Sequence, residues 1–191
     1  MKVTKTAIPE ICILEPTVFG DHRGYFVESY NKEKFPSEYQ HIDFVQDNES
    51  KSSKGVLRGL HYQLPPFSQT KLVRVVKGSI LDIAVDIRKG SPTFGNHISV
   101  ELSDENKKQL LIPRGFAHGF IVLSEIAILS YKCDNYYSKE HDRGILFNDP
   151  DLNINWKLPE NNLILSEKDK VQPLLKDSTD LFDYNSDLYA K

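Results

Sequence analysis

Two short segments, Gly59-Leu60-His61-Tyr62-Gln63 and Pro113-Arg114-Gly115-Phe116-Ala117-His118, hold the residues best suited to chemistry. A histidine in each, brought together by folding, would suggest a metal site. The position two beyond His61 is Gln63, however, and the run from Leu64 to Lys71 contains no carboxylate. Two imidazoles with an amide and an ammonium are a poor donor set for zinc or iron, so the expected chemistry is acid–base. An imidazole with an ordinary pKa of about 6.5 is a weak base toward a C–H bond and needs a carboxylate behind it. Asp82, Asp86 and Asp169 are the choices, and spacing does not decide among them. Arg58, Lys71 and Arg74 surround His61 in sequence with positive charge, which suits an anionic substrate and an anionic intermediate. Tyr131, Tyr136 and Tyr137 are candidates to return a proton, since a phenol titrates near about 10. Taken singly, each of these residues also has a plain structural role: a core histidine, packing tyrosines, cations at the surface.

The elements that must position them read as strands. From Lys71 to Arg88 the sequence alternates, with Leu81, Ile83, Val85 and Ile87 on one face and Asp82, Ala84, Asp86 and Arg88 on the other. Lys77-Gly78 interrupts the run as a hairpin-like turn would. His97 to Leu102 alternates as well, and Ser103 to Asn106 provides a turn before Gln109 to Ile112. Gly119 to Leu123 and Ala127 to Lys132 fit a further pair. Short, regularly spaced strands of this kind predict an all-β sandwich or jelly roll. Asn31 to Tyr39 suggests a short helix, Ser166 a cap for a helical turn, and Lys176 to Lys191, with Asp177, Asp180, Asp183 and Asp187, a loosely docked acidic tail.

The 191 residues, with no internal repeat or linker, suit one domain over residues 1–191. A net charge of -3, with 24 basic and 27 acidic residues interspersed, gives no footprint for nucleic acid or an anionic membrane. Two cysteines, Cys12 and Cys133, and a start at Met1–Lys5 without a signal-like pattern predict a reduced, cytoplasmic protein with no membrane span.

The two opening segments are similar to the paired motifs of cupins. Together with Phe19-Gly20-Asp21-His22-Arg23-Gly24, Phe44-Val45-Gln46-Asp47-Asn48, Lys71-Leu72-Val73-Arg74 and Ser91-Pro92-Thr93-Phe94-Gly95, the chain resembles the dTDP-4-dehydrorhamnose 3,5-epimerase family over nearly its whole length. That resemblance implies a cupin-type jelly-roll β-barrel with short peripheral helices, and a homodimer that exchanges N-terminal strands. It implies epimerisation of a dTDP-sugar at C3 and C5 through an enolate, calling for neither metal nor nicotinamide cofactor. By the same resemblance His61 is the base, Asp169 its partner, Tyr131 the acid and Lys71 the residue that stabilises the enolate. Arg23, Phe26, Glu28, Gln46, Asn48, Arg58, His118 and Tyr137 match positions that line the nucleotide-sugar site. The alternatives are a single epimerase or 3,4-ketoisomerase of the same fold, a sugar-nucleotide-binding module without turnover, and a metal-dependent oxygenase, against which Gln63 counts.

Overall fold

The alternating segments become strands in the computed structural model, which describes residues 1–190. In chain order they are β1 (Lys2–Lys5), β2 (Cys12–Glu15), β3 (Val18–Asp21), β4 (Gly24–Val27), β5 (Gln46–Ser53), β6 (Leu57–Gln63), β7 (Lys71–Lys77), β8 (Ser79–Asp86), β9 (Arg88–Lys89), β10 (His97–Ser103), β11 (Gln109–Ile112), β12 (Phe116–Val122), β13 (Ile126–Cys133), β14 (Asp142–Gly144) and β15 (Phe182–Asp183). One sheet has the order β1-β2-β11-β7-β13-β5 and the other β10-β8-β12-β6-β14. The all-β, two-sheet architecture expected from the sequence is present, with the two sheets separate in their hydrogen bonding. Two 3-10 turns, Lys32–Lys34 and Ser37–Tyr39, replace the helix read over Asn31 to Tyr39. No helix among the described residues is long and apolar enough to cross a membrane.

Both faces of the central strands are buried, which decides where polar groups can go. Leu81, Ile83, Val85 and Ile87 pack with Leu57, Tyr62 and Ile121 beneath a C-terminal cover that includes Ile145, Phe147, Trp156, Leu175 and Phe182. On the opposite face of β8, Ile80 and Ala84 join Val73, Leu110, Phe120 and Leu129 between the sheets. Asp82 stands between Ile80 and Ala84 in that row and is fully buried. The polar face predicted for β8 therefore looks into the space between the sheets, not into solvent. A third cluster of Cys12, Leu14, Phe35, Leu72 and Leu111 covers the outer face of the first sheet. Each fully buried aliphatic side chain in these layers contributes about 1.5–3 kcal/mol.

Lys77-Gly78 is not a hairpin. β7 and β8 belong to different sheets, and Gly78, at φ +80°, carries the chain across in one residue. A Cβ there would lie 2.1 Å from the Ile126 carbonyl oxygen, so glycine is required. The acidic tail is not loose either. β15 pairs in parallel with β9, Tyr62 Oη donates to the Asp180 carbonyl at 2.7 Å, and Arg143 Nε donates to the Asp180 carboxylate at 2.9 Å. The tail's charges mask its apolar anchors: Phe182, Leu181 and Leu188 pack onto the outer cluster of the second sheet.

Candidate active site

A β-bulge sets the site. Between β6 and β12 the register runs His61↔His118 and then Arg58↔Phe120, so three steps on β6 match two on β12. The extra residue shifts the pleat: Leu57, Leu60 and Tyr62 face the outer cluster, while Arg58 and His61 line the cavity between the sheets. Gly59 permits this, because at φ +128° its Cβ would lie 2.5 Å from Gly119 Cα and 2.8 Å from the His118 carbonyl oxygen. Gly59→Ala should therefore lower stability by about 3 kcal/mol, read as a fall in denaturation midpoint. A midpoint unchanged from the parent would show that the two strands separate freely.

Three candidate aspartates find three different partners. Asp169, which opens a 3-10 turn and is buried, sits 2.6 Å through Oδ1 from His61 Nε2. Its backbone N–H donates to Ser166 Oγ at 3.2 Å, although the residue that caps the turn is Lys168, not the serine read from sequence. Asp82 Oδ1 lies 2.5 Å from His118 Nε2. Asp86 receives Arg88, Ser91 and Thr93 and stands apart from the site. Burial alone would raise the Asp169 carboxyl, but the bond to His61, with help from Ser166 and Lys168, outweighs it and the net shift is downward. An ionised carboxylate can only accept, so the imidazole hydrogen lies on Nε2 and Nδ1 is the nitrogen free to take a proton. Burial pushes His118 down in pKa against the pull of Asp82, and the positive charge of Lys71 adds to the depression.

Lys71, Tyr131 and His61 meet where two cavities join. One, of about 430 Å³, is lined by Arg58, Ser50, His118, Phe120, Leu129 and Ser166; the other, of about 390 Å³, by Gln46, Asn48, Cys133, Tyr137, Asp142 and Lys168; all three residues line both. Burial lowers the Lys71 ammonium below its usual range, opposed by Cys133, Asp82 and Asp142. Burial first, and Cys133 next, raise the Tyr131 phenol, which stays protonated at neutral pH. His61 comes from one sheet and Tyr131 from the other, so the imidazole and the phenol approach the space from opposite walls. Such an arrangement can remove a proton from one face of a bound carbon acid and return one to the other, beside an ammonium that stabilises the charge in between.

Arg58 and His118 line the first cavity, and Gln46, Asn48 and Tyr137 the second. Arg23, Phe26 and Glu28 line neither. They lie on or beside the isolated β3–β4 hairpin, where Arg23 pairs with Asp21, Phe26 is 66% exposed against Phe19, and Glu28 binds Lys34 and Asn31. Arg74 shares the outward face of β7 with Leu72, opposite Gln109, so it is not among the cations near His61. Tyr136 is exposed and lines neither cavity. Sequence reasoning missed Ser52, which accepts from Arg58 Nε and Nη2 at 3.3 and 3.2 Å, and the ion pair of Lys168 with Asp142. The one signal for Ser52 is the period of two that it shares with Gln46, Asn48 and Ser50, which carries no hydropathy contrast.

The donor set does not fit a metal. Gln63 spends its amide on backbone, with Nε2 donating to the Phe67 and Tyr136 carbonyls at 2.7 and 3.1 Å and Oε1 accepting the Ser138 N–H at 2.7 Å. Among the described residues no three His, Cys, Asp or Glu side chains converge.

Comparison with known proteins places the chain in one family. The family model for dTDP-4-dehydrorhamnose 3,5-epimerase matches residues 5–177. A Shigella flexneri protein named dTDP-4-dehydrorhamnose 3,5-epimerase is 58% identical over 170 residues, 88% of this chain and 93% of that one. A Pseudomonas aeruginosa protein of the same name is 54% identical over 171 residues, covering 89% and 93%. Among solved structures, the Elizabethkingia anophelis enzyme superposes with a TM-score of 0.87 at 56% identity, covering 93% of this chain and 97% of that one. A Legionella pneumophila epimerase in complex with dTDP-4-keto-L-rhamnose gives 0.91 at 48% identity, covering 97% and 99%.

Proposed function

The chain belongs to the dTDP-4-dehydrorhamnose 3,5-epimerase family, and from that premise we propose how its own residues carry out the epimerisation. The enzyme is an isomerase of dTDP-4-dehydro-6-deoxyglucose, inverting C3 and C5. The C4 ketone acidifies the hydrogens on both neighbouring carbons, because the carbanion left behind is an enolate with its charge on oxygen. One base can thus serve two inversions. His61 takes the proton through Nδ1, with Asp169 holding the ring and stabilising the imidazolium. Lys71 faces the developing oxyanion, and Tyr131 delivers a proton to the opposite face. The observation that supports this reading is the placement of His61 and Tyr131 on opposed sheets with Lys71 between the two cavities. In this reading Gln46, Asn48, Arg58 and Tyr137 receive the nucleotide diphosphate and His118, held on Asp82, borders the sugar, which their lining of the two cavities supports.

Proton NMR in deuterium oxide with dTDP-4-dehydro-6-deoxyglucose tests the function. Deuterium should enter at C3 and at C5, and a rhamnose-forming reductase should consume the product. Entry at one carbon would mean a single epimerase, and entry at neither would remove the assignment. Tyr131→Phe should reduce net inversion by about a hundredfold while deuterium still enters from the His61 side at a higher residual rate. Equal loss of both would remove the separate acid role.

The working form is proposed to be a homodimer. The β3–β4 hairpin pairs with neither main sheet and leaves Phe19, Tyr25 and Phe26 exposed, a surface that suits burial against a second copy. Arg23, Phe26 and Glu28 would then complete the neighbour's nucleotide site. Sedimentation analysis should find a dimer; a monomer with full activity would end that reading.

A further inference from the structure

The tail past residue 177 lies outside the cavities, yet it grips the strand that carries Lys71. Tyr189 Oη is 2.8 Å from Thr70 Oγ1 and accepts the Arg114 backbone N–H at 3.4 Å. The Arg114 guanidinium lies over the Tyr189 ring, with Cζ 4.9 Å from its centroid. Arg114 also donates through Nη1 to the Leu188 carbonyl at 2.8 Å and through Nε to Asp134 Oδ2 at 3.0 Å. The circuit closes when Asp134 Oδ1 accepts the Thr70 N–H at 2.6 Å and the Asp134 N–H donates to the Thr70 carbonyl at 3.3 Å. Thr70 and Asp134 are the residues immediately beyond the Lys71↔Cys133 pair of β7 and β13.

Lys71 depends on that end of the strand. The carboxylates of Asp82 and Asp142 act on its ammonium through space, and Nζ makes no hydrogen bond among the described residues. With a free head group, the position of Nζ follows the backbone at the first residue of β7, where the chain enters from the loop over Leu64 to Thr70. We propose that Tyr189 is a positioning residue that clasps the start of β7 and so fixes the Lys71 ammonium against the reacting oxygen, an inference that rests on the role given to Lys71 above. The strand would otherwise fray at its first rung, and a small displacement of a group that acts on a developing charge is costly in rate while leaving ground-state binding alone.

Three full-length variants test this: Tyr189→Phe, which keeps the ring and removes the hydroxyl, Lys71→Met, and the double variant. Tyr189→Phe should lower kcat by about tenfold with KM unchanged, measured well below its Tm. In the Lys71→Met background the same change should cause no further loss, because the group it positions is gone. Lys71→Met alone reports on the role of Lys71, and full kcat in that variant would remove both readings. A slow Lys71→Met enzyme beside a Tyr189→Phe enzyme with intact kcat, whether or not its Tm falls, would overturn the clasp and leave Lys71 in place. So would an equal loss of kcat in both backgrounds.

Discussion

His61→Ala should abolish deuterium entry at C3 and C5 together, by about a thousandfold or more in exchange rate. The reason is the absence of a second base in the same cavity. His118 is the other imidazole there, but its Nε2 is bound to Asp82, and burial beside Lys71 depresses its pKa. It is therefore a weaker base than an ordinary imidazole. Asp169, the remaining carboxylate beside His61, is held below its usual range and is a poor base for carbon. Measurement is by NMR line loss at each carbon over time. Exchange that persists at one carbon would assign that carbon to another base and split the two inversions between two groups.

Lys71→Met should lower kcat/KM by about a hundred- to a thousandfold, the range expected when a preorganised donor to an oxyanion is lost. The pH profile separates this from a simple loss of charge. Burial lowers the Lys71 ammonium from its ordinary 10.5, so activity that needs the protonated form is complete below the lowered pKa and disappears as pH rises through it. The alkaline limb should therefore lie below 10.5. Tyr131 does not set it, since its phenol is shifted upward. Lys71→Arg should move the limb to higher pH at a reduced maximum, because guanidinium stays charged. A limb that stays in place in Lys71→Arg would assign it to another group.

Much of this arrangement was legible before folding. β10, β11 and β13 lie close to where alternation placed them, and His61 and His118, from the two segments singled out first, line one cavity. The places that misled have specific causes. Lys77-Gly78 carries the turn chemistry of a hairpin, yet pairing partners are not written in a turn, and the chain crosses to the opposite sheet. Asp82, Asp86 and Asp169 look equivalent in sequence; only the fold gives one to His61, one to His118 and one to Arg88. Arg74 follows Lys71 by three residues, an odd step on a regular strand, so it points to the far face. Arg58 precedes His61 by the same odd step and does share its face, because the bulge at Gly59 adds one residue. The family resemblance assigned Arg23, Phe26 and Glu28 to the nucleotide-sugar site, and their hairpin stands clear of this chain's own cavity.

The outer covers on the two sheets change what the interior has to do. In a bare sandwich the space between the sheets must supply nearly all the apolar burial, and every charge placed there competes with the core. Here Leu81, Ile83 and Val85 on one sheet, and Leu72 and Leu111 on the other, turn their burial outward. Along β13 the inward residues can then pass from Ala127 and Leu129 to Tyr131 and Cys133 without emptying the protein of its hydrophobic support. Stability and reactivity are assigned to opposite sides of the same strands, which leaves the reaction chamber free to change its substrate while the covers keep the scaffold folded.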